Sequence, residues 1–189
     1  MEILKRGHAD RAGLEAFIAA SYARTYGASI AHYAEHLVGL RDVEGTWQAG
    51  LGYTLAGHQR LFIEQYLDEP VEDAIGSILS VPIERDQIVE VGNLAASAAG
   101  AARQVIVGMT RLLHELGRTW VVFTSTRGLF NSFARVGIAP IPLASADPSR
   151  LPDGGKSWGS YYATNPRVMT ANIPLGFIHL HAKCAVRSA

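Results

Sequence analysis

Hydrophobic and polar positions change period several times along the chain, and each change marks an element. Residues 2–6 alternate weakly and predict a short opening strand. Between residues 9 and 26, Leu14, Phe17, Ile18, Ser21 and Tyr22 recur at spacings of three and four. That period predicts a helix, with Asp10 as its cap and Gly27 as its stop. Period two returns over 36–41 and 47–56, two strands joined by the turn Asp42-Val43-Glu44-Gly45. Residues 60–80 predict a partly helical stretch broken at Pro70.

The most regular stretch covers 87–147. An apolar strand over 87–95 runs through small residues into a helix that ends near Leu116, and the apolar strand 120–124 follows. A short helix over 128–135 ends at Gly137 and leads into a strand over 138–144. Residues 146–156 are rich in Pro, Asp and Gly and read as a loop. Three more short strands are expected at 158–162, 167–173 and 175–181, a β-rich extension of about 157–189. Together these elements predict a mixed α/β chain, a central sheet flanked by helices, in a single domain over 1–189. The first third alternates too irregularly for a doubly wound nucleotide fold.

Composition narrows the function classes. The 189 residues are 48% hydrophobic and 18% charged, and 17 basic side chains balance 17 acidic ones. A zero net charge argues against broad nucleic-acid binding and against a polybasic membrane surface, while leaving room for a local basic pocket. No signal-peptide core opens the chain, and no apolar run reaches the roughly 18 residues of a spanning helix. A soluble, cytoplasmic protein is expected. Cys184 is the single cysteine, which rules out an internal disulfide and fits a reducing compartment. No motif supports it as a nucleophile, so it reads as a passive thiol.

Four places carry candidate chemistry. Ser97 to Ala102 brings a strand end into a helix through Gly and Ala, which lets backbone N–H groups approach and hold a phosphate. The same small residues also serve close helix–sheet packing. Glu90 is a carboxylate inside the apolar run Ile88-Val89-Glu90-Val91. If it faces a cleft, desolvation raises its pKa and suits it to take a proton from an amine; at an edge it is merely solvated. Asn93 faces the other way on an ideal strand, but a bulge at Gly92 would bring the two together and expose backbone N–H groups to a carbonyl. Glu64 is a second carboxylate, with pairing to Arg60 on a solvated helix face as its plainer role. Tyr161 and Tyr162 offer hydroxyls to a substrate, or serve as core and rim.

Residues 32–36, His-Tyr-Ala-Glu-His, match the inverted zinc-protease signature His-x-x-Glu-His. Gly27, Ser29 and the strand from residue 36 leave little helix to carry it, and surface histidines before a strand are expected instead. No metal is assigned.

Several motifs in one order resemble the thermostable hemolysin family. They are Leu-Phe-Ile-Glu-Gln-Tyr-Leu-Asp at 61–68, Val-Glu-Val-Gly-Asn-Leu-Ala at 89–95, Val-Phe-Thr-Ser-Thr at 122–126 and Phe-Ala-Arg-Val-Gly at 133–137. Leu-Ala-Ser-Ala-Asp-Pro at 143–148 and Trp-Gly-Ser-Tyr-Tyr at 158–162 complete the set, so the resemblance spans about residues 20–173. The turn at 97–102 is also similar to the pyrophosphate loop of GCN5-related N-acetyltransferases, Gln/Arg-x-x-Gly-x-Gly/Ala. Gly100 and Ala102 match it, Ser97 replaces the Gln or Arg, and Arg103 sits one turn inside the helix.

The resemblance implies an acyl-CoA N-acyltransferase (GNAT-like) fold, shared with acyl-homoserine-lactone synthases. It implies acyl transfer from acyl-CoA or an acyl carrier protein to a small amine, without a tightly bound cofactor. Pantetheine would lie along Leu94, Ala95 and Ala96, and its phosphates on Ser97, Ala98, Ala99, Gly100, Ala101, Ala102 and Arg103. Glu90 or Glu64 would take the proton, Asn93 would assist, and Tyr161 and Tyr162 would meet the acceptor. A homodimer is compatible with this reading. In many such acetyltransferases an Asn and a Tyr stand eleven and four residues before the Gly that closes the next helix; counted from Gly137, those places hold Thr126 and Phe133. Phe133 has no proton to give, so the usual tyrosine acid is missing. The alternatives are a ligand-binding relative without catalysis and a lytic protein. Lysis would call on Ala98–Leu116 as an amphipathic segment that the sheet has better use for.

Overall fold

The computed structural model describes residues 1–135 and 139–186. Seven strands form one sheet in the order β1-β2-β3-β4-β5-β7-β6. They are β1 (Glu2–Leu4), β2 (His36–Arg41), β3 (Trp47–Leu55), β4 (Ile88–Ala96), β5 (Trp120–Ser125), β6 (Ile141–Ser145) and β7 (Arg167–Asn172). Every neighbouring pair is antiparallel except β4 and β5. That parallel pair needs a crossover, and α3 (Ala99–Glu115) supplies it. The remaining helices are α1 (Arg11–Tyr26), α2 (Val71–Leu79), α4 (Arg127–Arg135) and α5 (Ile173–Val186).

The two faces of the sheet hold separate cores. Val105, Met109 and Leu113, one turn apart on α3, pack on Val38, Leu51 and Val89. On the other face α1 sets Leu14 and Ile18 against Leu37 and Ala95, and α2 sets Val71 and Ile75 against Ile88, Val122 and Val168. Gly27 ends α1 in the left-handed region at φ 67, as its position predicts. Asp10 occupies the cap position, but its side chain makes no capping bond; its carboxylate lies 3.3 Å from Arg41 instead.

The expected strands at 158–162 and 175–181 are not strands. Residues 156–164 form two 3-10 turns, Lys156–Trp158 and Tyr161–Thr164, and 175–181 lies within α5. The Asp153 carboxylate accepts the N–H groups of Gly155 and Ser157 at 2.9 and 2.8 Å and curls the first turn. Gly159, at φ 54, then approaches α1 so closely that a Cβ there would sit 2.0 Å from the Tyr26 carbonyl oxygen. The Ser160 N–H donates to that same oxygen at 2.8 Å and locks the segment to the end of α1. At the start of α5, Asn172 Oδ1 accepts the Leu175 N–H at 3.0 Å, and Pro174 stands in the first turn. The expected β-rich end thus contributes one strand, β7, which is inserted between β5 and β6. The expected stop at Gly137 and strand start at Ile138 lie outside the described residues, as does the Cys184 side chain. No helix among the described residues is long and apolar enough to cross a membrane.

Candidate active site

Strands β4 and β5 pair only through Ile88↔Trp120, Val89↔Val121 and Glu90↔Val122, and then part. On its other side β4 stays with β3, but the register slips: Gly52 faces Gly92 while Gly50 faces Ala95. Leu51 therefore opposes both Asn93 and Leu94, a bulge one step beyond the position expected at Gly92. Asn93 takes the left-handed conformation, φ 53, which Asn tolerates better than most side chains. Its Oδ1 accepts the Ala34 N–H at 3.0 Å and its Nδ2 donates to the His32 carbonyl at 3.1 Å. The strand thus bends away from β5 and is tied to the segment ahead of β2. Gly52 makes room for the tie, since a Cβ there would lie 2.6 Å from Ala34 Cβ and 3.1 Å from Asn93 Oδ1.

A cavity of about 700 Å³ opens at this parting and reaches both faces of the sheet. One side is aliphatic and phenyl, walled by Ile106, Met109 and Leu113 of α3, Leu129 and Phe133 of α4, and Phe123 of β5. The other is aromatic and hydroxylated, walled by Tyr22, Tyr26, Phe62, Tyr66, Trp158, Tyr161 and Tyr162. Val91, Gly92, Asn93 and Leu94 form the rib between them.

Glu90 lies at the head of that rib and lines the cavity. The Phe62 N–H donates to its Oε2 at 2.7 Å, from the start of the 3-10 turn Phe62–Gln65. Burial pushes the Glu90 carboxyl up to about 7; the N–H groups of Phe62 and Ile63 pull the other way, and the charge of Glu64 adds to the rise. A carboxyl with that pKa inside a cleft is suited to exchange a proton near neutral pH.

Glu64 is placed differently. It is buried, its Oε1 and Oε2 take Arg85 Nη1 and Nη2 at 2.8 and 2.9 Å, and the Leu61 and Val71 N–H groups donate to it at 2.7 and 3.2 Å. Burial alone would raise this carboxyl, but those donors outweigh it and hold it below the usual range. Its partner is Arg85, not Arg60, and its oxygens are spent on holding the turn that supports Glu90.

Tyr161 is buried and Tyr162 half-buried; both line the cavity, and Tyr162 Oη stands 2.5 Å from Tyr66 Oη. Burial raises the pKa of all three phenols and keeps them protonated. Phe133 stands in the aliphatic wall with its ring 5.0 Å from that of Phe123, and Thr126 lines the same side. Leu94 lines the cavity and Ala95 is buried against α1. Ser97 donates to Gln48 Oε1 at 2.6 Å, and from Ser97 to Gly100 the turn is exposed. Helix α3 starts after an extended Ala98 without a side-chain cap, and a Cβ at Gly100 would meet nothing within 4 Å. The first residues of α3, Ala99 and Gly100, are thus exposed and without a side-chain cap.

The histidine motif is not helical. Residues 32–34 have no regular secondary structure and Glu35 is a bend before β2, with Glu35 Oε2 3.8 Å from His36 Nδ1 and 3.9 Å from His58 Nδ1. Among the described residues, no three His, Cys, Asp or Glu side chains gather as a metal site would need.

The sequence model of the thermostable hemolysin family matches residues 4–177. No curated protein matches the chain by sequence. Among solved structures, an N-acyl amino acid synthase from uncultured soil microbes, FeeM, is 12% identical with a TM-score of 0.61, covering 93% of this chain and 97% of its own. The CoA-dependent acyl-homoserine lactone synthase BjaI, solved with MTA, is 12% identical with a TM-score of 0.62, covering 96% and 87%. TofI, in a ternary complex with an inhibitor and MTA, is 12% identical at a TM-score of 0.56, covering 91% and 90%. The chain has the mixed α/β acyltransferase fold that these proteins share.

Proposed function

The chain belongs to the thermostable hemolysin family, and we propose that it is an N-acyltransferase moving an acyl group from a thioester donor to an amine. The observation that carries this is Glu90, a carboxyl poised near 7 at the head of a cavity opened by the parting of β4 and β5. The thioester lies along the β4 rib, where β5 leaves the Val91–Leu94 backbone free. Backbone N–H groups there receive the carbonyl oxygen as it gains charge. The amine approaches from the aromatic side and gives a proton to Glu90 as its nitrogen bonds to the carbonyl carbon. The carbon–sulfur bond then breaks, and the proton returns from Glu90, directly or through water, to the leaving sulfur. This route does without the tyrosine acid that Phe133 cannot supply.

The acyl chain occupies the aliphatic side, whose walls of Ile106, Met109, Leu113 and Leu129 offer no hydrogen bond to a polar tail. The donor's phosphates meet the open start of α3, Ala98–Arg103, where uncapped N–H groups and the helix dipole favour an anion. Acyl-CoA is the donor assigned, in the cytoplasm, with acyl carrier protein as the other thioester of the same chemistry.

Thermal shift against CoA, acetyl-CoA and medium- and long-chain acyl-CoA tests the reading, followed by thiol release with amines. Stabilisation that grows with chain length, and thiol release that needs an amine, are expected. Stabilisation without thiol release from any amine would leave a ligand-binding protein; no stabilisation by any thioester would remove the donor site.

A further inference from the structure

The cavity carries positive charge that the acyl-transfer step does not use. Arg6 and Arg60 both line it and both are exposed, so they stand where it opens to solvent. Neither makes a hydrogen bond or an ion pair with any described residue. Unpaired arginines occur elsewhere on the surface; these two differ because, among the described residues, the cavity they rim holds a single carboxyl, Glu90. Arg60 also precedes by two residues Phe62, whose N–H holds Glu90.

We infer that the acceptor is an amino-acid-like amine, carrying a carboxylate close to the reacting nitrogen and an apolar or aromatic body. The inference rests on the acyltransferase reading above. With the nitrogen at Glu90, a neighbouring carboxylate falls toward Arg60, whose planar fork can take it through two parallel hydrogen bonds. Arg6 adds a second positive charge at the opening. The body lies against Tyr26, Phe62 and Trp158, which offer broad flat contact and little else. The same charges act against competitors. A simple alkylamine or polyamine, cationic in water, meets two guanidiniums with only the Glu90 carboxyl to offset them, whereas an amino acid brings a carboxylate that neutralises one. The bond formed is an amide between the acyl carbon and the amino nitrogen, the bond broken is the thioester, and the carboxylate stays intact in the product.

The test compares matched acceptors with the full chain and the acyl-CoA that gives the largest thermal shift. Free phenylalanine, tyrosine and leucine are set against their methyl esters and their decarboxylated amines, with product mass and kcat/KM as readouts. Free acids are expected to exceed both by at least about tenfold, the worth of one lost charged contact of 1.4 kcal/mol. R60A is expected to lower kcat/KM for the free acid about tenfold more than for its ester, through KM, with R60K intermediate. R6A is expected to act in the same direction but less strongly. Equal or better turnover of esters or amines, or an equal loss on both from R60A, would overturn the inference while leaving acyl transfer intact. A second readout separates the two readings: calorimetry with the N-acyl amino acid and its methyl ester. If no acceptor is acylated but the acid still binds more tightly, the reaction falls and the carboxylate site stands. If the ester binds as well, the carboxylate site falls regardless of turnover.

Discussion

The backbone N–H of Phe62 points at Glu90 Oε2 from 2.7 Å, and through this contact the 3-10 turn 62–65 reaches across to β4. Two opposed forces meet there. Burial favours the neutral acid, while the Phe62 and Ile63 N–H groups favour the carboxylate, and the balance stands at about 7. The base is the carboxylate, so kcat/KM is expected to rise tenfold per pH unit below about 7 and level off above it. E90Q should remove that limb and lower turnover by about 100-fold or more, with little change in acyl-CoA affinity. A pH–rate profile of both proteins checks this; a wild-type profile flat from pH 5 to 8 would dismiss Glu90 as the base.

The same raised pKa makes a separate statement about stability. Free glutamate titrates near 4.3, so between roughly pH 4.3 and 7 the folded protein holds a proton that the unfolded chain has lost. Stability contributed by Glu90 is thus fully present below that window and lost as pH rises through 7. E90Q keeps the Phe62 contact through its amide oxygen and has no charge to desolvate. It is expected to be more stable than wild type at pH 8, by about 1–3 kcal/mol, and no more stable at pH 4. Urea denaturation at the two pH values measures the difference.

Glu64 titrates with the opposite sign. The Arg85 guanidinium holds it ionised below the usual range, so its contribution is present above the unfolded pKa and lost as pH falls through the folded one. E64Q and R85A each leave a charged partner, or a buried N–H, without its acceptor or donor. Both are expected to cost about 3 kcal/mol at pH 7, and E64Q much less at pH 3. In R85A, which leaves the Glu64 charge in place, the turn at 61–64 then loses its hold on Glu90, and the midpoint of the activity profile should move up because the N–H bonds that lowered it weaken; in E64Q the loss of the Glu64 charge acts the other way. Reduced stability with an unmoved midpoint in R85A would show that the ion pair supports the fold and not the site.

Asn93 serves the bulge in two ways, and substitutions separate them. N93D tolerates the left-handed backbone and keeps an acceptor for the Ala34 N–H, but loses the donor to His32. N93L loses both bonds and adds backbone strain. Expected costs are about 1 kcal/mol for N93D and 3 or more for N93L, with turnover falling in the same order as the rib at 91–94 loosens. Equal stability and turnover in both would mean that the bulge holds without its side chain.

Much of this was legible because it is local. Strand β4, α3 and β5 follow from period and length, and Glu90 stands out as a charge inside an apolar strand. Asn93 could be tied to Glu90 only by supposing a bulge at Gly92; the bulge lies one residue later, where Asn93 itself takes the left-handed conformation and bonds Ala34 and His32. What was not legible depends on distant pairings. Glu64 finds Arg85 from 21 residues away around α2, where nearby Arg60 was the natural guess. Trp158, Tyr161 and Tyr162 carry strand-forming aromatics, yet Gly159 fitted against the Tyr26 carbonyl makes them a cap on the cavity. The apolar run 175–181 suits a strand or a helix equally, and the Asn172 cap decides it. Arg6 and Arg60 share a rim that no local pattern connects.

Phe133 offers a test of the aliphatic side that does not depend on the acceptor. Its ring packs on Phe123 and forms part of the wall beside Leu129, so it limits the space beyond the thioester. F133A opens that space, and each further methylene buried there is worth about 0.8 kcal/mol, roughly fourfold in affinity. The preferred acyl-CoA is expected to lengthen, with weaker binding of short donors and a loss of about 1–3 kcal/mol in stability for the half-buried ring. F133L should show a smaller change in the same direction. Chain-length profiles of thermal shift and of thiol release would move together if the acyl group lies on this side. If F133A weakens every donor by the same factor, the acyl chain leaves the rib elsewhere, and the aliphatic chamber is core rather than binding site.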